Sequence, residues 1–490
     1  MLYLVASLLV VPLLSALFCM LTRKPSFVEK IGAAGSLVTL AAGISVAYFV
    51  SSGGTITGLD GYIFIDNLSM LMVVLITSIG AGAVFFSLSY IREDVERGHL
   101  GAERIRWYYG FLHVFIFAML LSVITGNLGM FWVAMELTTL ASALLVSFYR
   151  NRASLEAAWK YVIICSAGIG LALFGTILTY YSSVGVVIAD GGTLDWSALM
   201  REASRLNPAT MRLAFIFVLI GFGTKAGLVP MHTWLPDAHS QAPAPVSGLL
   251  SGVLLSCAVY GIIRYNALVT GVIGKTYPGT LLIVFGLISI ITASLFILMQ
   301  KDYKRLLAYS SIEHIGIVIF ALGLGSKLAL YGAVFHLINH AISKSTLFFI
   351  AGRINYIFRS KQIGRVRGLI DVSPVTGTFF IIGILAIAGS PPFGLFASEI
   401  IILSGGFTSG KHVVSLIALM PIITAFGGLT YYLSRMSFGP RTRQPVLQSH
   451  YRLPIAIFAI GMGVMLVVGL YVPAWLHALL NNITQSLGGV

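Results

Sequence analysis

Apolar runs of about 20 residues recur from one end of this 490-residue chain to the other. A run of that length forms a helix about as long as the hydrocarbon core of a bilayer is thick. Only 10% of the residues are charged and the mean hydropathy is +0.93, whereas soluble domains carry about 25% charged residues. The sequence therefore predicts an all-α integral membrane protein, a single membrane domain over residues 1–490 with about fourteen transmembrane helices.

The positive charge is distributed unevenly between the loops. A formal net charge of +14 could by itself indicate nucleic-acid binding. Most of the 31 Lys and Arg residues, however, fall in loops after odd-numbered predicted helices, such as 92–106, 353–367 and 435–452. Because loops rich in Lys and Arg stay in the cytoplasm, we expect both termini outside the cell membrane and no nucleic-acid partner.

Two predicted helices are interrupted by proline. Pro230 and Pro236 follow Lys225 closely in the seventh helix, and Pro391-Pro392 interrupt the twelfth. Proline removes a backbone donor, and irregular backbone at membrane depth persists only where it is buried in protein or lines a water-filled cavity. Each break therefore predicts a place where water or ions reach the protein interior.

The breaks lie five helices apart, which predicts two inverted five-helix repeats. The predicted divisions are N-terminal helices at 1–107, the first repeat at 108–269, the second at 270–436 and a last helix at 437–490. One loop on the outer side is long, residues 184–210. Its segment Leu194–Met200 predicts a short amphipathic helix that connects the two halves.

Glu136 and Lys225 are ionisable residues within apolar helices. A carboxylate buried in a membrane is either neutral or paired with a cation, and a lysine among glycines before a helix break has room for water. We interpret Lys225 as a proton carrier whose charge Glu136 controls. Two alternatives stay open: Glu136 could reach water at a helix end, and the pair could merely tie two helices together.

Three residues at four-residue intervals, His336, His340 and Lys344, fall on one face of the eleventh predicted helix. Imidazole titrates near neutral pH, so this face is typical of a water-linked proton path. Metal binding by the histidines is the weaker alternative, because no Glu completes an HExxH motif and an ammonium is a poor neighbour for a metal ion. Hydrogen bonds that pack the helices are the third interpretation.

Glu399 follows the second break and is the candidate terminal proton site, unless it lies in a re-entrant loop. His232, Asp237 and His239 lie in a polar, proline-rich segment after the first break. We interpret that segment as a turn that loads protons from the cytoplasm, with a purely structural turn as the alternative.

The three cysteines, Cys19, Cys165 and Cys257, lie in apolar runs without a CxxC spacing. They are interpreted as small packing residues, so we expect no iron–sulfur cluster, metal or other cofactor in this chain. Residues 1–21 lack the basic start and cleavage site of a signal peptide and are predicted to form the first helix.

Two long segments resemble a known family. Residues 230–243 read PMHTWLPDAHSQAP, with SGLLSG at 247–252, and residues 301–314 read KDYKRLLAYSSIEH. Both are similar to the proton-translocating antiporter-like subunits of the complex I superfamily, and the likeness covers nearly the whole chain. LEAAWKYV at 155–162 and SPPFGLFASE at 390–399 resemble the branch found in hydrogenase-4 and formate hydrogenlyase complexes.

The resemblance implies roles for the residues singled out above: a glutamate–lysine pair (Glu136, Lys225), a central axis (His336, His340, Lys344) and a distal site (Glu399). Many relatives have a lysine where this chain has Ser256. A serine can hydrogen-bond a relay water but cannot hold the proton, which argues against a relay made only of lysines.

The sequence thus predicts a subunit that translocates protons or sodium ions and does no redox chemistry itself. We expect partner membrane subunits, and a peripheral hydrogenase or oxidoreductase arm that drives transport, in the cytoplasmic membrane. The alternatives are a subunit of a multi-subunit Mrp-type sodium/proton antiporter and a structural membrane anchor.

Overall fold

The structure, a computed structural model, describes residues 2–187, 191–441 and 452–488. Helices make up almost all of it. Those of the first half are α1 (Leu2–Leu21), α2 (Pro25–Gly53), α3 (Asn67–Glu96), α4 (Ile105–Ile124), α5 (Leu128–Val146), α6 (Arg152–Ser183), α7 (Trp196–Arg201), α8 (Pro208–Ala226), α9 (Trp234–Gln241), α10 (Ala244–Leu249) and α11 (Leu255–Ile273).

The second half continues with α12 (Thr276–Ile297), α13 (Tyr303–Leu324), α14 (Lys327–Phe358), α15 (Leu369–Val372), α16 (Pro374–Ile387), α17 (Gly394–Thr408), α18 (His412–Ser437), α19 (Arg452–Leu470) and α20 (Ala474–Gly488). Short 3-10 turns occur at Ala102–Arg104, Ala203–Arg205, Met231–Thr233 and Ile363–Arg365, and a π-helical segment, Leu250–Leu254, joins α10 to α11.

Twelve helical segments of the described residues are long and apolar enough to cross a membrane. Two further predicted spans coincide with α14, which carries charged residues along its length, and with the broken pair α16 and α17. The prediction of a helical, integral membrane fold is confirmed. The number fourteen and the inverted repeats stay predictions, and the charged segment 442–451 lies outside the described residues.

The centre of the bundle is formed by α13 and by the continuous segment from α10 to α11. Their apolar windows are 100% buried inside the protein, against 39% for α6 and 33% for α18. The outer helices therefore present apolar side chains to lipid. The inner helices are covered on all sides, so polar groups on them depend on partners inside the protein.

A small β-hairpin departs from the all-α prediction. Strands β1 (Ile56–Gly58) and β2 (Ile63–Ile65) pair antiparallel between α2 and α3. Backbone bonds from Gly126 N to Tyr62 O and from Trp196 N to Gly126 O join this hairpin to α7. The helix predicted at 194–200 is thus present as α7, and its N-cap is Asp195, which accepts from Ala198 N at 2.6 Å.

Both predicted breaks are present. The helix α8 ends at Ala226 because Gly227 takes a left-handed conformation, with φ 79°. The indole of Trp234, at the start of α9, donates to the carbonyl of Thr224 at 2.9 Å and so satisfies a backbone group of the last turn of α8. The second break separates α16 from α17 at residues 388–393.

Candidate ion-translocation site

Lys225 lies in the last turn of α8 and is fully buried. Its Nζ donates to the hydroxyl of Tyr161 at 2.6 Å and to Oγ1 of Thr139 at 2.8 Å. The hydroxyl of Tyr161 also lies 2.7 Å from Oγ of Ser142. The side chain of Lys225 is therefore held by hydroxyl oxygens from α5 and α6. Hydroxyls can accept from a charged ammonium and donate to a neutral amine, so they can bind Lys225 in either protonation state.

Glu136 is half-buried on α5 and reaches Lys225 only through Thr139. Oγ of Ser166 donates to Glu136 Oε1 at 2.9 Å, and Oγ1 of Thr139 contacts Oε2 at 3.3 Å. Among the ion pairs of the described residues, none joins Glu136 to Lys225 within 4.0 Å. The two charges therefore interact through one bridging hydroxyl rather than as a direct ion pair, and the roles predicted for Glu136 and Lys225 stay predictions.

The predicted polar face of the eleventh helix is present on α14, where His336, His340 and Lys344 are all fully buried. Nζ of Lys344 donates to Oγ of Ser310 and to the carbonyl of Leu307 at 3.2 Å. Both partners lie on α13. The lysine thus crosses from one central helix to the next without a direct carboxylate partner in the described residues.

Two residues of α13 complete this face and were not singled out from the sequence. His314 Nδ1 lies 3.1 Å from His336 Nε2, and Glu313 interacts electrostatically with Lys344 and Glu399. Both are almost fully buried. The available signal was their place in the KDYKRLLAYSSIEH segment, which puts two ionisable residues within an apolar helix.

Glu399 lies in the first turns of α17, directly behind the second break, and is 7% exposed. Its Oε1 is 4.0 Å from His314 Nδ1. Its other oxygen would stand 2.5 Å from a Cβ added at Gly389, and Gly389 itself has a φ of 75°, a left-handed conformation that favours glycine. The structure brings Glu399 to the predicted histidine face, but through His314.

The segment after the first break is helical rather than a turn. Residues 231–233 form a 3-10 turn and α9 follows at Trp234–Gln241, so the predicted proline-rich turn is wrong. His232 and His239 are buried. The ring of His239 stacks on Phe348 at 4.9 Å and interacts electrostatically with Lys344, which places it beside α14.

Buried imidazoles at this end offer sites for water. Neither ring nitrogen of His239 or of His340 has a hydrogen-bond partner among the described residues. Buried polar groups without protein partners are ordinarily satisfied by internal water. The two histidines are therefore candidate water sites on a path toward Lys344.

A network of charged residues surrounds α9. Asp237 contacts Lys160 at 3.3 Å and also pairs with Arg305. Nearby, Lys361 donates to the carbonyl of Ser240 at 2.8 Å. Burial lowers the pKa of Lys361, and the Asp302 carboxylate opposes that shift. Asp237 thus forms ion pairs with two cationic side chains, and these contacts join α6, α9 and α13.

Ser256 is fully buried near the start of α11, and its hydroxyl donates to the carbonyl of Gly252 at 3.1 Å. The next residue, Cys257, interacts electrostatically with Lys225. Ser256 therefore lies near the Lys225 group but is hydrogen-bonded within its own helix.

The ionisable residues thus form two groups. The first cluster contains Glu136, Thr139, Tyr161 and Lys225. The second cluster contains Glu313, His314, His336, His340, Lys344 and Glu399. No hydrogen bond or ion pair of the described residues joins one cluster to the other directly.

The second cluster also contains the one set of potential metal ligands found in the described residues. One ligand atom from each of His314, His336 and Glu399 lies within 4.8 Å of the others. The predicted histidine pair, His336 with His340, is not that set. The donors are those of a zinc site, but the separation of the carboxylate from His314 Nδ1, 4.0 Å, is wide for a shared metal ion.

Comparison with known protein families shows which family the chain belongs to. The family model described as "NADH:quinone oxidoreductase/Mrp antiporter, TM" matches residues 125–424, which hold both clusters. The chain belongs to this family. A second model, the N-terminus of chain 5 of NADH-ubiquinone oxidoreductase (complex I), matches residues 58–98. This antiporter-like chain is therefore a multi-pass membrane subunit of the complex I superfamily, as the motifs implied.

Curated relatives come from two branches of the family. A hydrogenase-4 component F homolog from Methylacidiphilum infernorum is 40% identical over 407 residues, 82% of this chain and 85% of the relative. A Na⁺/H⁺ antiporter subunit from Alkalihalophilus pseudofirmus is 34% identical over 358 residues, 70% of this chain but 42% of the relative. The chain thus spans less than half of the antiporter subunit's length.

Solved structures share the fold over the whole chain. One is a chain of the membrane-bound sulfane sulfur reductase, an archaeal respiratory membrane complex, with a TM-score of 0.88 at 24% identity. The match covers 99% of this chain and 97% of that one. A chain of the Mrp complex from Dietzia sp. gives 0.85 at 19%, with coverage of 100% and 98%. These relatives are subunits of multi-subunit membrane complexes.

Proposed function

We propose that this chain translocates protons as a subunit of a membrane-bound redox complex of the hydrogenase type, whose partner subunits do the redox chemistry. The observation that carries the proposal is the pair of buried clusters. Lys225 and Lys344, which have no exposed surface, each rest on hydroxyls rather than on a direct carboxylate partner among the described residues. A lysine held in this way can give up its proton without leaving an unpaired anion beside it.

The first step depends on Glu136. The distances of 2.8 and 3.3 Å through Thr139 put its carboxylate at most about 6 Å from Lys225 Nζ. At an effective dielectric constant of about 20, two unit charges at that separation interact by about 3 kcal/mol. Moving Glu136 away would therefore increase the acid dissociation constant of the Lys225 ammonium by a factor of about one hundred.

The second cluster receives and releases the proton. His239 and His340 offer water sites beside Lys344, Glu313 interacts electrostatically with it, and Glu399 lies 4.0 Å from His314. Glu399 lies just after the second break, where residues 388–393 interrupt the helix. We therefore place proton release at Glu399.

The chemistry of the side chains supports a proton rather than sodium. Sodium is a hard cation that prefers several oxygen ligands, as calcium and magnesium do. The second cluster instead presents three imidazoles and an ammonium. All four groups can carry protons, the imidazole nitrogens are poor ligands for sodium, and the ammonium repels a cation.

The test is Lys225→Ala in the intact complex, reconstituted into vesicles. We expect assembly and redox turnover with translocation abolished, because the first cluster contains no other lysine or histidine. The matched control is Lys327→Ala, an exposed lysine at the start of α14, which should pump normally. A proton gradient of normal size in Lys225→Ala vesicles would refute the proposal.

The second candidate function is that of a subunit of a sodium/proton antiporter, favoured by the 34% identity to the Na⁺/H⁺ antiporter subunit of Alkalihalophilus pseudofirmus. An antiporter needs no electron donor. A proton gradient formed from an imposed sodium gradient alone, in vesicles without redox substrate, would favour this candidate over the first.

For topology we propose that both termini lie outside and that two inverted repeats, 108–269 and 270–436, carry the two breaks. The charge distribution of the loops supports the orientation. A reporter fused after Val490 should report the outside and one inserted near Arg443 the cytoplasm. Both positions lie outside the described residues, and the reverse result would overturn this topology.

A further inference from the structure

A line of four polar contacts crosses the second cluster and connects the two sides of the second break. It begins at the carbonyl of Ile387, the last residue of α16, which lies 3.0 Å from His314 Nε2. His314 Nδ1 is 3.1 Å from His336 Nε2, and His336 Nδ1 is 2.9 Å from Oγ of Ser398. The line ends where Oγ of Ser398 donates to the carbonyl of Leu395, on α17, at 2.8 Å.

The number of protons on this line can be counted. Both ends are carbonyl oxygens, which only accept hydrogen bonds, so each of the four contacts needs a proton of its own. Two neutral imidazoles and one hydroxyl supply three. If His314 donates to Ile387 and Ser398 donates to Leu395, His336 must donate to Ser398. Two bare ring nitrogens would then face each other across 3.1 Å.

A carboxyl group lies beside the gap, where it can serve as the counter-charge of a fourth proton. Glu399 Oε1 lies 4.0 Å from His314 Nδ1, and Glu313 interacts electrostatically with Glu399 and Lys344. Glu399 is thus the acidic group that can balance a positive charge on the two rings.

The other neighbouring elements add little charge. The helix α12 carries no Asp, Glu, Lys, Arg or His, and Arg264 of α11 is paired with Asp66. His412 and Arg435 of α18 lie near its two ends. Lys304 of α13 donates to the carbonyl of Ala242, Lys411 donates to the carbonyls of Gly323 and Leu324, and Asp237 of α9 is paired with Lys160 and Arg305. His340 on α14 and His239 on α9 have ring nitrogens without partners among the described residues.

We propose that His314 and His336 share one excess proton, with the Glu399 carboxylate as its counter-charge. The transport role of this pair, as the storage point between Lys344 and Glu399, rests on the proposed function; its protonation does not. When a second positive charge arrives nearby, repulsion drives the shared proton from His314 Nδ1 to Glu399 Oε1. The pair is then left as two neutral rings and Glu399 as a neutral acid.

A proton fits this gap better than a metal ion. Zinc bonds to two imidazoles at about 2.0–2.1 Å, which sets their nitrogens about 3.3 Å apart in a tetrahedral site. The observed 3.1 Å is an ordinary hydrogen-bond length, and the carboxylate at 4.0 Å is suited to a counter-ion.

The experiment is ¹⁵N nuclear magnetic resonance of the histidine-labelled intact complex in lipid, compared with variants of this chain. We expect an imidazolium with a nitrogen-to-nitrogen hydrogen bond that persists at pH 8, where an ordinary histidine is neutral. The signal should vanish in His314→Gln. It should stay in His477→Gln, because His477 is an exposed residue bound to Tyr331 and Asn481.

Ser398→Ala is the sharper variant because it keeps both rings. Without the hydroxyl, two contacts need only two protons, so the extra proton should leave. Ser398→Thr restores a hydroxyl and should restore the signal. A role in packing alone would not distinguish alanine from threonine in this way.

Neutral rings in the wild-type complex at pH 8 would overturn the proposal, and this measurement needs no variant to assemble. So would one zinc ion per chain that is lost in His314→Gln. The proposed function is tested separately, because Lys225→Ala should abolish translocation and leave the imidazolium signal in place.

Discussion

Within the part of the chain that the structure describes, the hydroxyl of Thr139 is the hydrogen-bonded link between Glu136 and Lys225. It accepts from Lys225 Nζ at 2.8 Å and contacts Glu136 Oε2 at 3.3 Å. Thr139→Val keeps the shape of the side chain and removes this hydroxyl. Hydrogen bonds to charged groups contribute about 1.5–3 kcal/mol. If control of Lys225 passes through this bond, the rate of translocation should fall about 10- to 100-fold.

The assay is proton uptake per redox turnover in vesicles that contain the intact complex, with Thr139→Ser as the matched variant that retains the hydroxyl. We expect serine to pump close to the wild-type rate and valine to show uncoupled redox turnover. The reasoning is refuted if valine pumps normally, since Glu136 would then act on Lys225 without the bridge. Equal losses in serine and valine would indicate that packing of the methyl group is what matters.

Three further predictions concern single residues. Glu136→Gln should reduce translocation strongly and Glu136→Asp mildly, because the charge matters more than the length; equal losses measured in vesicles would make Glu136 structural. Although burial opposes it, Arg264 holds the pKa of Asp66 below its usual range. The stabilisation is therefore present at neutral pH and lost as pH falls through that lowered value. Asp66→Asn should cost about 3–5 kcal/mol near neutral pH and less in acid, as thermal unfolding at several pH values can check. Ser256→Ala should keep most translocation, since its hydroxyl bonds only within its own helix and is worth about 0.5–1.5 kcal/mol; an inactive but assembled variant would contradict this.

Local sequence signals predicted the features that depend on one helix. Clusters of proline and glycine near 227–236 and 389–392 disfavour a continuous helix, and both breaks are present. The four-residue spacing of His336, His340 and Lys344 fixes a common face on any α-helix, and α14 is continuous through all three. These predictions needed no knowledge of neighbouring helices.

Contacts between helices could not be predicted in this way. The bridge through Thr139 depends on the distance between α5 and α8, which sets whether a hydroxyl or a direct ion pair spans the gap. His314 is one of several polar residues in its segment, and only the packing of α13 against α14 brings it to His336. The segment after Lys225 forms the helix α9 because Pro236 falls in the first turn, where proline is tolerated.

Ser256 lies in the region between the two clusters, together with other small hydroxyl-bearing residues. Cys257 interacts electrostatically with Lys225 on one side. On the other, Ser251 of the π-helical segment lies 2.7 Å from Ser311, the neighbour in sequence of the Ser310 that holds Lys344. Small hydroxyl groups, rather than a third lysine, thus line the way between the two lysines. If protons pass between the clusters as proposed, transfer has to be completed by water, because a hydroxyl cannot store a proton. The π-helical segment has an irregular hydrogen-bond pattern, and such segments are frequent at functional sites.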